Sequence, residues 1–221
     1  AGGTPNGANV PFTVPRDGVV VTITYVLATH QITVTTSESG TPPDLKAAKA
    51  FWVQPGLLAW PADGIPEGAN PALLKWRLHW APNAGMTIDE EDLPGSTSAG
   101  MAYDPAGLPA SVTATRPELA GYLALRLGSS TQSIAGTILR GQLAVALYNN
   151  RGLLLDATGV QTAYVLDALY AGSATTKKYG AVFGGSSPTY RVWAPTARRV
   201  TLLTWPPSAS GDAPISSAKR T

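Results

Sequence analysis

Apolar and polar residues alternate along short stretches of this chain, which is the pattern of half-buried β-strands. Residues 74–80 show it most clearly, with apolar positions on one face and basic positions on the other: Leu74, Trp76, Leu78 and Trp80 against Lys75, Arg77 and His79. The alternation predicts a strand that buries its apolar face. It also predicts that the basic face, including His79, lies in solvent.

Two runs rich in β-branched residues, 19–25 and 31–36, surround a short break near the start of the sequence. Such a pair predicts a β-hairpin. Because a lone hairpin is marginally stable in water, we expect it to belong to a domain with further strands or to pack on later residues of the chain. Residues 37–43 are small and polar with paired prolines, which indicates a linker.

The central block, residues 45–170, combines further predicted strands with short helices. The strands fall at 48–53, 57–60, 74–80, 123–127, 143–148 and 153–155, and the short helices at 134–140 and 161–170. A single helical turn is predicted near Pro117, and residues 81–110 are predicted to be a loop. After a second junction at 171–189, strands are predicted at 189–195 and 199–205, and residues 206–221 have the composition of turns and linkers.

Composition supports a mainly β protein with many turns. Gly (23) and Pro (19) make up about a fifth of the 221 residues, and only 14% of residues are charged, against about 25% in an ordinary domain. The net charge is +2 without a basic stripe, so we expect neither nucleic acid nor an anionic membrane as a partner. The chain has no cysteine, which excludes disulfides and thiolate metal sites.

No catalytic motif is found in the sequence. It contains no G-x-S-x-G elbow, no phosphate-binding loop and no G-x-G-x-x-G turn. Its two histidines, His30 and His79, are far apart. The densest acidic cluster, residues 89–92, lies in a loop; we interpret it as solvated, with a weak calcium site as the alternative, although the spaced aspartates of a known calcium loop are missing. We therefore predict no catalytic residue and no metal site in these residues.

Six tryptophans beside three phenylalanines are the strongest compositional bias. An indole ring can stack on the flat C–H face of a sugar, but a core position is the ordinary alternative. Trp76, Trp80 and Trp193 alternate with polar residues and are predicted to be core. The candidate sugar-binding residues are Trp205 at a strand end, and Trp60 and Trp52 on either side of a turn.

Several motifs then carry a family resemblance. The run Y-R-V-W-A-P-T-A-R-R-V at 190–200 resembles the first strands of a family 48 carbohydrate-binding module. The runs A-K-A-F-W-V at 48–53 and L-L-A-W-P at 57–61 resemble the opening of the N-terminal domain of pullulanases and limit dextrinases. Further matching segments occur in the same order, at 108–113, 116–122, 159–162, 165–170 and 179–181. Residues 8–36 resemble the end of an immunoglobulin-like module of bacterial amylopullulanases.

The resemblance implies three modules, each of immunoglobulin-like or β-sandwich fold. Residues 1–37 would be the last strands of an immunoglobulin-like module, 45–170 the pullulanase-type N-terminal domain, and 180–221 the first strands of a family 48 module. The parent enzyme would be secreted and would hydrolyse α-1,6-glucosidic linkages in pullulan, amylopectin and limit dextrins. Any calcium would belong to that parent.

The same resemblance implies that the catalytic carboxylates lie in a (β/α)₈ barrel outside these residues. The expected partners are therefore an α-glucan and that barrel, which could be a second chain of a nicked enzyme. Two alternatives stay open: a stand-alone α-glucan-binding protein, and a secreted β-sandwich interaction module unrelated to glucans.

Overall fold

The computed structural model describes the backbone of residues 19–26, 31–38, 43–89, 92–184, 188–204 and 216–220, and the side chains of 43–89, 92–184 and 188–203. Most of the regular structure in these residues is β. The strands are β1 Val19–Val26, β2 Gln31–Glu38, β3 Ala50–Gln54, β4 Leu57–Trp60, β5 Lys75–Ala81, β6 Thr97–Asp104, β7 Leu123–Leu127, β8 Gln142–Tyr148, β9 Leu154–Gln161, β10 Gly180–Val182, β11 Thr189–Arg191, β12 Val200–Thr204 and β13 Ser216–Arg220.

The helices are short and lie between the strands. They are α1 Ala110–Thr115, α2 Ser129–Ser133, α3 Ala135–Ile138 and α4 Ala163–Ala174, with 3₁₀ turns at Ala62–Gly64, Pro71–Leu73 and Pro117–Leu119. Proline opens two of the 3₁₀ turns, where its missing N–H has no intrahelical partner to lose. The predicted helices near 134–140 and 161–170 are confirmed. No helix within the described residues is both long and apolar enough to cross a bilayer.

The central strands form a closed seven-stranded barrel in the order β3-β4-β7-β6-β5-β8-β9. Six neighbouring pairs are antiparallel. The seventh, β3 with β9, is parallel and closes the barrel through Ala50 opposite Val160 and Phe51 opposite Gln161. The prediction of a β-sandwich for residues 45–170 is therefore wrong in architecture, although a mainly β domain with short helices is confirmed. Alternation within one strand shows that a face is buried, but it does not show whether the sheet closes on itself.

Large apolar side chains fill the barrel. The main core cluster includes Trp52, Leu58, Trp60, Trp76, Leu78, Leu125, Val145 and Leu147. Along β5, Trp76 and Leu78 are buried while Lys75 and Arg77 are exposed, as the alternation predicts.

Two smaller apolar clusters cover parts of the outer surface. One joins Ala144 and Ala146 of β8 to Met86 and Leu93. The other packs Val112 and Leu119 against β3, β4 and β7. Strand β8 is buried along nearly its whole length, which explains why it reads as continuous apolar sequence rather than as an alternation.

The remaining strands form three separate two-stranded sheets. The predicted hairpin is confirmed as β1 paired with β2, in register from Val19 opposite Glu38 to Val26 opposite Gln31. Near the other end, β10 pairs with β11 and β12 with β13. Strand β13 lies within residues that were expected to be turn and linker, since their small polar side chains give no strand signal. The assignment of 1–37 and 180–221 to the two named modules stays a prediction.

Candidate functional site

The tryptophans predicted to bind sugar do not form a surface. Trp52 and Trp60 are fully buried, and Trp60 packs edge-to-face on Trp76 with ring centroids 5.3 Å apart. An indole ring that is enclosed by the barrel cannot stack on a sugar, so both are core residues and not glucan contacts. The turn that they flank gave no sign of this, because the residues that cover them come from distant strands. Trp205 lies outside the described residues.

Trp193 is more exposed than predicted. It was expected to be core, but 48% of its surface is exposed. Its ring meets those of Tyr170, at 5.9 Å between centroids, and Tyr179, at 6.4 Å, both edge-on. Trp193 therefore joins α4 to the segment after β11 while keeping part of its ring in solvent.

The strongest concentration of polar contacts surrounds His79 on the outer face of β5. This side chain is 1% exposed, so its predicted position in solvent is wrong. Residues 82–89 and 92–96, which we name the cover loop, place Met86 and Leu93 over this part of the barrel. The imidazole is thereby enclosed between the sheet and the loop.

Both ring nitrogens of His79 contact hydroxyl groups. Nδ1 lies 2.8 Å from Oγ of Ser96, and Nε2 lies 2.9 Å from the hydroxyl of Tyr148. The Ser96 hydroxyl lies 2.7 Å from the carbonyl oxygen of Leu93. The Tyr148 hydroxyl donates to Oδ1 of Asp92 at 2.5 Å. Four hydrogen-bond contacts thus form a continuous chain that starts at Leu93 in the cover loop, crosses the outer face of the sheet and returns to the loop at Asp92.

Counting hydrogens assigns the tautomer of His79. A neutral imidazole and two hydroxyls carry one polar hydrogen each, and an ionised carboxylate carries none. Since Tyr148 donates its hydrogen to Asp92, its oxygen accepts from Nε2–H of His79. Nδ1 is then bare, and the single hydrogen of Ser96 has two acceptors, Nδ1 and the carbonyl of Leu93. The chain is therefore one hydrogen short of saturating all four contacts.

Burial sets the protonation states of this chain. It lowers the pKa of His79 to about 4, against an opposing attraction from the Asp92 carboxylate. Burial, together with the hydrogen bond to Asp92, raises the pKa of Tyr148 well above its ordinary value of 10. For Asp92, partial burial raises the pKa, but the hydrogen bond from Tyr148 and the contact with the Leu93 backbone outweigh it and lower the pKa overall. At neutral pH the chain therefore holds a neutral imidazole, a neutral phenol and a carboxylate.

A small cavity opens beside the Asp92 end of this chain. It has a volume of about 250 Å³ and is lined by Lys75, Arg77, Asp92, Tyr148 and Gly152. The guanidinium of Arg77 is fixed by Ser98, whose Oγ lies 3.0 Å from Nε and 2.8 Å from Nη2. The register of the sheet places Lys75 directly opposite Tyr148. Two basic side chains, of which Arg77 is held in place, and one acidic side chain thus line a single opening.

Sequence reasoning found only part of this site. It placed Lys75, Arg77 and His79 on one face of β5 and identified the acidic run that contains Asp92, but it did not bring the two together. Tyr148 was missed because it ends an apolar strand. Only one feature of the sequence pointed to Tyr148. It is the one residue of β8 with a side-chain hydroxyl, and a buried hydroxyl needs a hydrogen-bond partner.

The arrangement is suited to binding rather than to catalysis. The contact between Ser96 and His79 has the length of a nucleophile–base pair, yet the imidazole is 1% exposed and out of reach of a substrate. Within the residues that the structure describes, no group of three or more His, Asp or Glu side chains is arranged to hold a metal ion.

Comparisons with known proteins relate the barrel to pullulanases. The curated pullulanase of Klebsiella pneumoniae is 30% identical over 158 residues, which are 72% of this chain and 14% of that protein. Pullulanase 1, chloroplastic, of Arabidopsis thaliana is 26% identical over 70% of this chain and 15% of its own length. The chain therefore spans about one seventh of the curated relatives that it matches.

Solved structures agree with this relationship. A maltotriose complex of a PulA mutant from Klebsiella pneumoniae has a TM-score of 0.68 at 28% identity, covering 82% of this chain and 18% of that one. PulA from Klebsiella oxytoca has a TM-score of 0.63 at 27% identity, covering 85% and 17%. The family profile described as Pullulanase N2 domain matches residues 47–168, a region that contains the whole barrel and the His79 chain. Because this match covers more than half of the sequence, the protein belongs to the Pullulanase N2 domain family.

Proposed function

We propose that this chain is a non-catalytic N-terminal part of a pullulanase-type enzyme that hydrolyses α-1,6-glucosidic linkages in pullulan, amylopectin and limit dextrins. The observation that carries the proposal is the family match over residues 47–168. It is supported by the relatives, of which the matched region makes up about one seventh, and by the burial of His79, the one histidine in the described residues.

In this role the chain supports the catalytic (β/α)₈ barrel, either within one polypeptide or as one chain of a nicked enzyme. The supporting observation is a set of large apolar side chains exposed near β10, β11 and β12. Phe183 is 79% exposed, and this set also includes Val192, Trp193, Leu202 and Leu203. Exposed large apolar side chains along this stretch of the chain support a contact surface.

The second part of the role is to hold α-glucan near the catalytic barrel. A tethered binding module raises the local concentration of polymer at the active site without any new contact to the reacting bond. Secretion of the parent enzyme stays a prediction, and the printed name of the Arabidopsis relative places that protein in the chloroplast.

The support role is tested by capture. The 221-residue chain is immobilised and presented with the Klebsiella pneumoniae pullulanase from which the region matched by this chain has been deleted. We expect capture, and we expect Phe183→Ser to weaken it. The matched control is Leu73→Ser, because Leu73 is also a large exposed apolar residue, at 69%, but lies in the 3₁₀ turn before β5.

Two results would contradict the proposal. Release of reducing sugar from pullulan by the chain alone would show that it carries its own catalytic centre. Absence of capture, together with retardation of the chain in amylopectin gels, would instead favour a stand-alone α-glucan-binding protein.

A further inference from the structure

We propose that the cavity beside Tyr148 is a binding site for a single neutral, hydroxyl-rich ring, and that its occupant is a terminal glucosyl unit of an α-glucan. Asp92, Arg77 and Lys75 contact the ring, and His79 and Ser96 hold the site in shape. This inference rests on the proposed glucan-holding role and deepens it by locating the contact on the barrel.

The buried chain beneath the cavity is the first argument. Removing an imidazole from water is costly unless its nitrogens are hydrogen-bonded, and His79 is enclosed between the sheet and the cover loop with a hydroxyl on each side. The result of this arrangement is a Tyr148 hydroxyl of fixed orientation and an Asp92 carboxylate held by it at 2.5 Å. Both groups line the cavity. Buried polar chains that orient cavity-lining groups are typical of binding sites.

The charges select the class of ligand. Lys75 and Arg77 alone would favour an anion, but the carboxylate of Asp92 faces the same opening and opposes one. A neutral ligand that both donates and accepts hydrogen bonds satisfies all three groups. Neighbouring hydroxyls of a sugar do this, since a carboxylate accepts from two of them while ammonium and guanidinium groups donate to their oxygens.

Size and shape narrow the class further. A cavity of about 250 Å³ is slightly smaller than the roughly 300–1,000 Å³ of ordinary ligand pockets, and its size is therefore on the scale of one ring and not of an oligosaccharide. The phenol ring of Tyr148 is 5% exposed and offers no stacking face. The site therefore grips the end of a chain by its hydroxyls, with a dissociation constant on the order of millimolar because stacking contributes little.

The test titrates the full 221-residue chain with maltotriose and follows backbone amide shifts by NMR. We expect saturable shifts at residues 75–79, 92–98 and 148–152. Asp92→Asn and Arg77→Met should weaken binding by about tenfold or more, since each removes a charged hydrogen-bonding group. The controls are Asp63→Asn and Arg199→Met, which make the same substitutions at exposed positions that do not line the cavity.

A further variant tests the positioning role. Tyr148→Phe removes only the hydroxyl that holds Asp92 and should weaken maltotriose binding while the thermal melting curve stays cooperative. The imidazole nitrogen shifts of His79 should change in the same variant, because Nε2 loses its acceptor. A purely structural hydroxyl would lower the melting temperature and leave the dissociation constant of maltotriose unchanged.

Three outcomes would overturn the inference, and they are distinguishable from failure of the proposed function. Shifts with inorganic phosphate but not with maltotriose would make the cavity an anion site. Maltotriose binding that survives both Asp92→Asn and Arg77→Met would place the glucan elsewhere on the chain and leave the glucan-holding role intact. Absence of any shift, with capture of the truncated pullulanase retained, would leave the support role alone.

Discussion

Two titratable groups with opposite pKa shifts give this protein opposing responses to acid, and replacing either one should reveal the other. Burial lowers the pKa of His79 from 6.5 to about 4. Burial raises the pKa of Asp156, on β9, from 3.8 to about 6, partly offset by a hydrogen bond from the Ala157 amide and by the charge of Lys49. Each shift links the free energy of unfolding to pH.

As pH falls, the two groups change the free energy of unfolding in opposite directions. Between pH 6.5 and 4 the unfolded chain binds a proton at His79 that the folded chain does not, so stability falls as pH falls. The pKa of His79 differs by about 2.5 between the unfolded and the folded chain, and at 1.36 kcal/mol per pKa unit this corresponds to about 3 kcal/mol. Between pH 6 and 3.8 the folded chain binds a proton at Asp156 that the unfolded chain does not, so stability rises as pH falls. That gain is about 2 kcal/mol after a reduction for the partial exposure of this side chain.

The two effects oppose each other, so the wild-type chain should lose only about 1 kcal/mol of stability between pH 6.5 and 4. His79→Gln, which stays neutral, should become more stable by about 2 kcal/mol as pH falls through this window. Asp156→Asn should become less stable by about 3 kcal/mol over the same range.

Urea denaturation monitored by tryptophan fluorescence measures all three proteins, since Trp52, Trp60 and Trp76 report on the core. The double variant is the control and should be flat. If His79→Gln and the wild type have the same pH slope, the imidazole is not titrating between these values and the assignment of its protonation state is wrong.

Two predictions concern the barrel itself. Gly159→Ala should destabilise the fold by about 2–4 kcal/mol, because an added Cβ would lie 2.3 Å from the carbonyl oxygen of Leu45. The control is Gly100→Ala, where nothing lies within 4 Å of the added Cβ, and it should differ from the wild type by less than about 1 kcal/mol. Equal effects of the two substitutions in urea denaturation would contradict the close contact at Gly159. Trp60→Ala should cost about 3–5 kcal/mol because Trp60 is fully buried, and a loss of amylopectin retardation without a loss of stability would instead show that its ring reaches the surface.

The sequence allowed the individual strands to be predicted wherever burial differs between the two faces. Strand β5 is the clear case, because its exposed and buried residues alternate at the end nearest Lys75. Strand β6 was missed since its sequence, T-S-A-G-M-A-Y-D, has one strongly buried residue, Met101. The strand signal is absent where neighbouring strands, rather than the core, hold a segment in place.

The pairing of the strands and the burial of His79 under a loop could not be predicted, because both depend on residues far apart in sequence. Closure of the barrel joins Ala50 to Val160. Burial of His79 depends on a loop that packs through Met86, Ile88 and Leu93. Three large apolar residues in an otherwise small and polar loop were the available sign that the loop lies against the sheet.

The parallel contact between β3 and β9 also determines when this domain can be completed during synthesis. The first strand of the barrel, β3, has no closing partner until residues 154–161 have left the ribosome, because β9 is the last strand of the barrel to be made. Until then the nascent sheet has two open edges, at β3 and β8, and open edges recruit other chains. A chain interrupted before β9 should accordingly aggregate, whereas one interrupted after α4 should yield a soluble barrel.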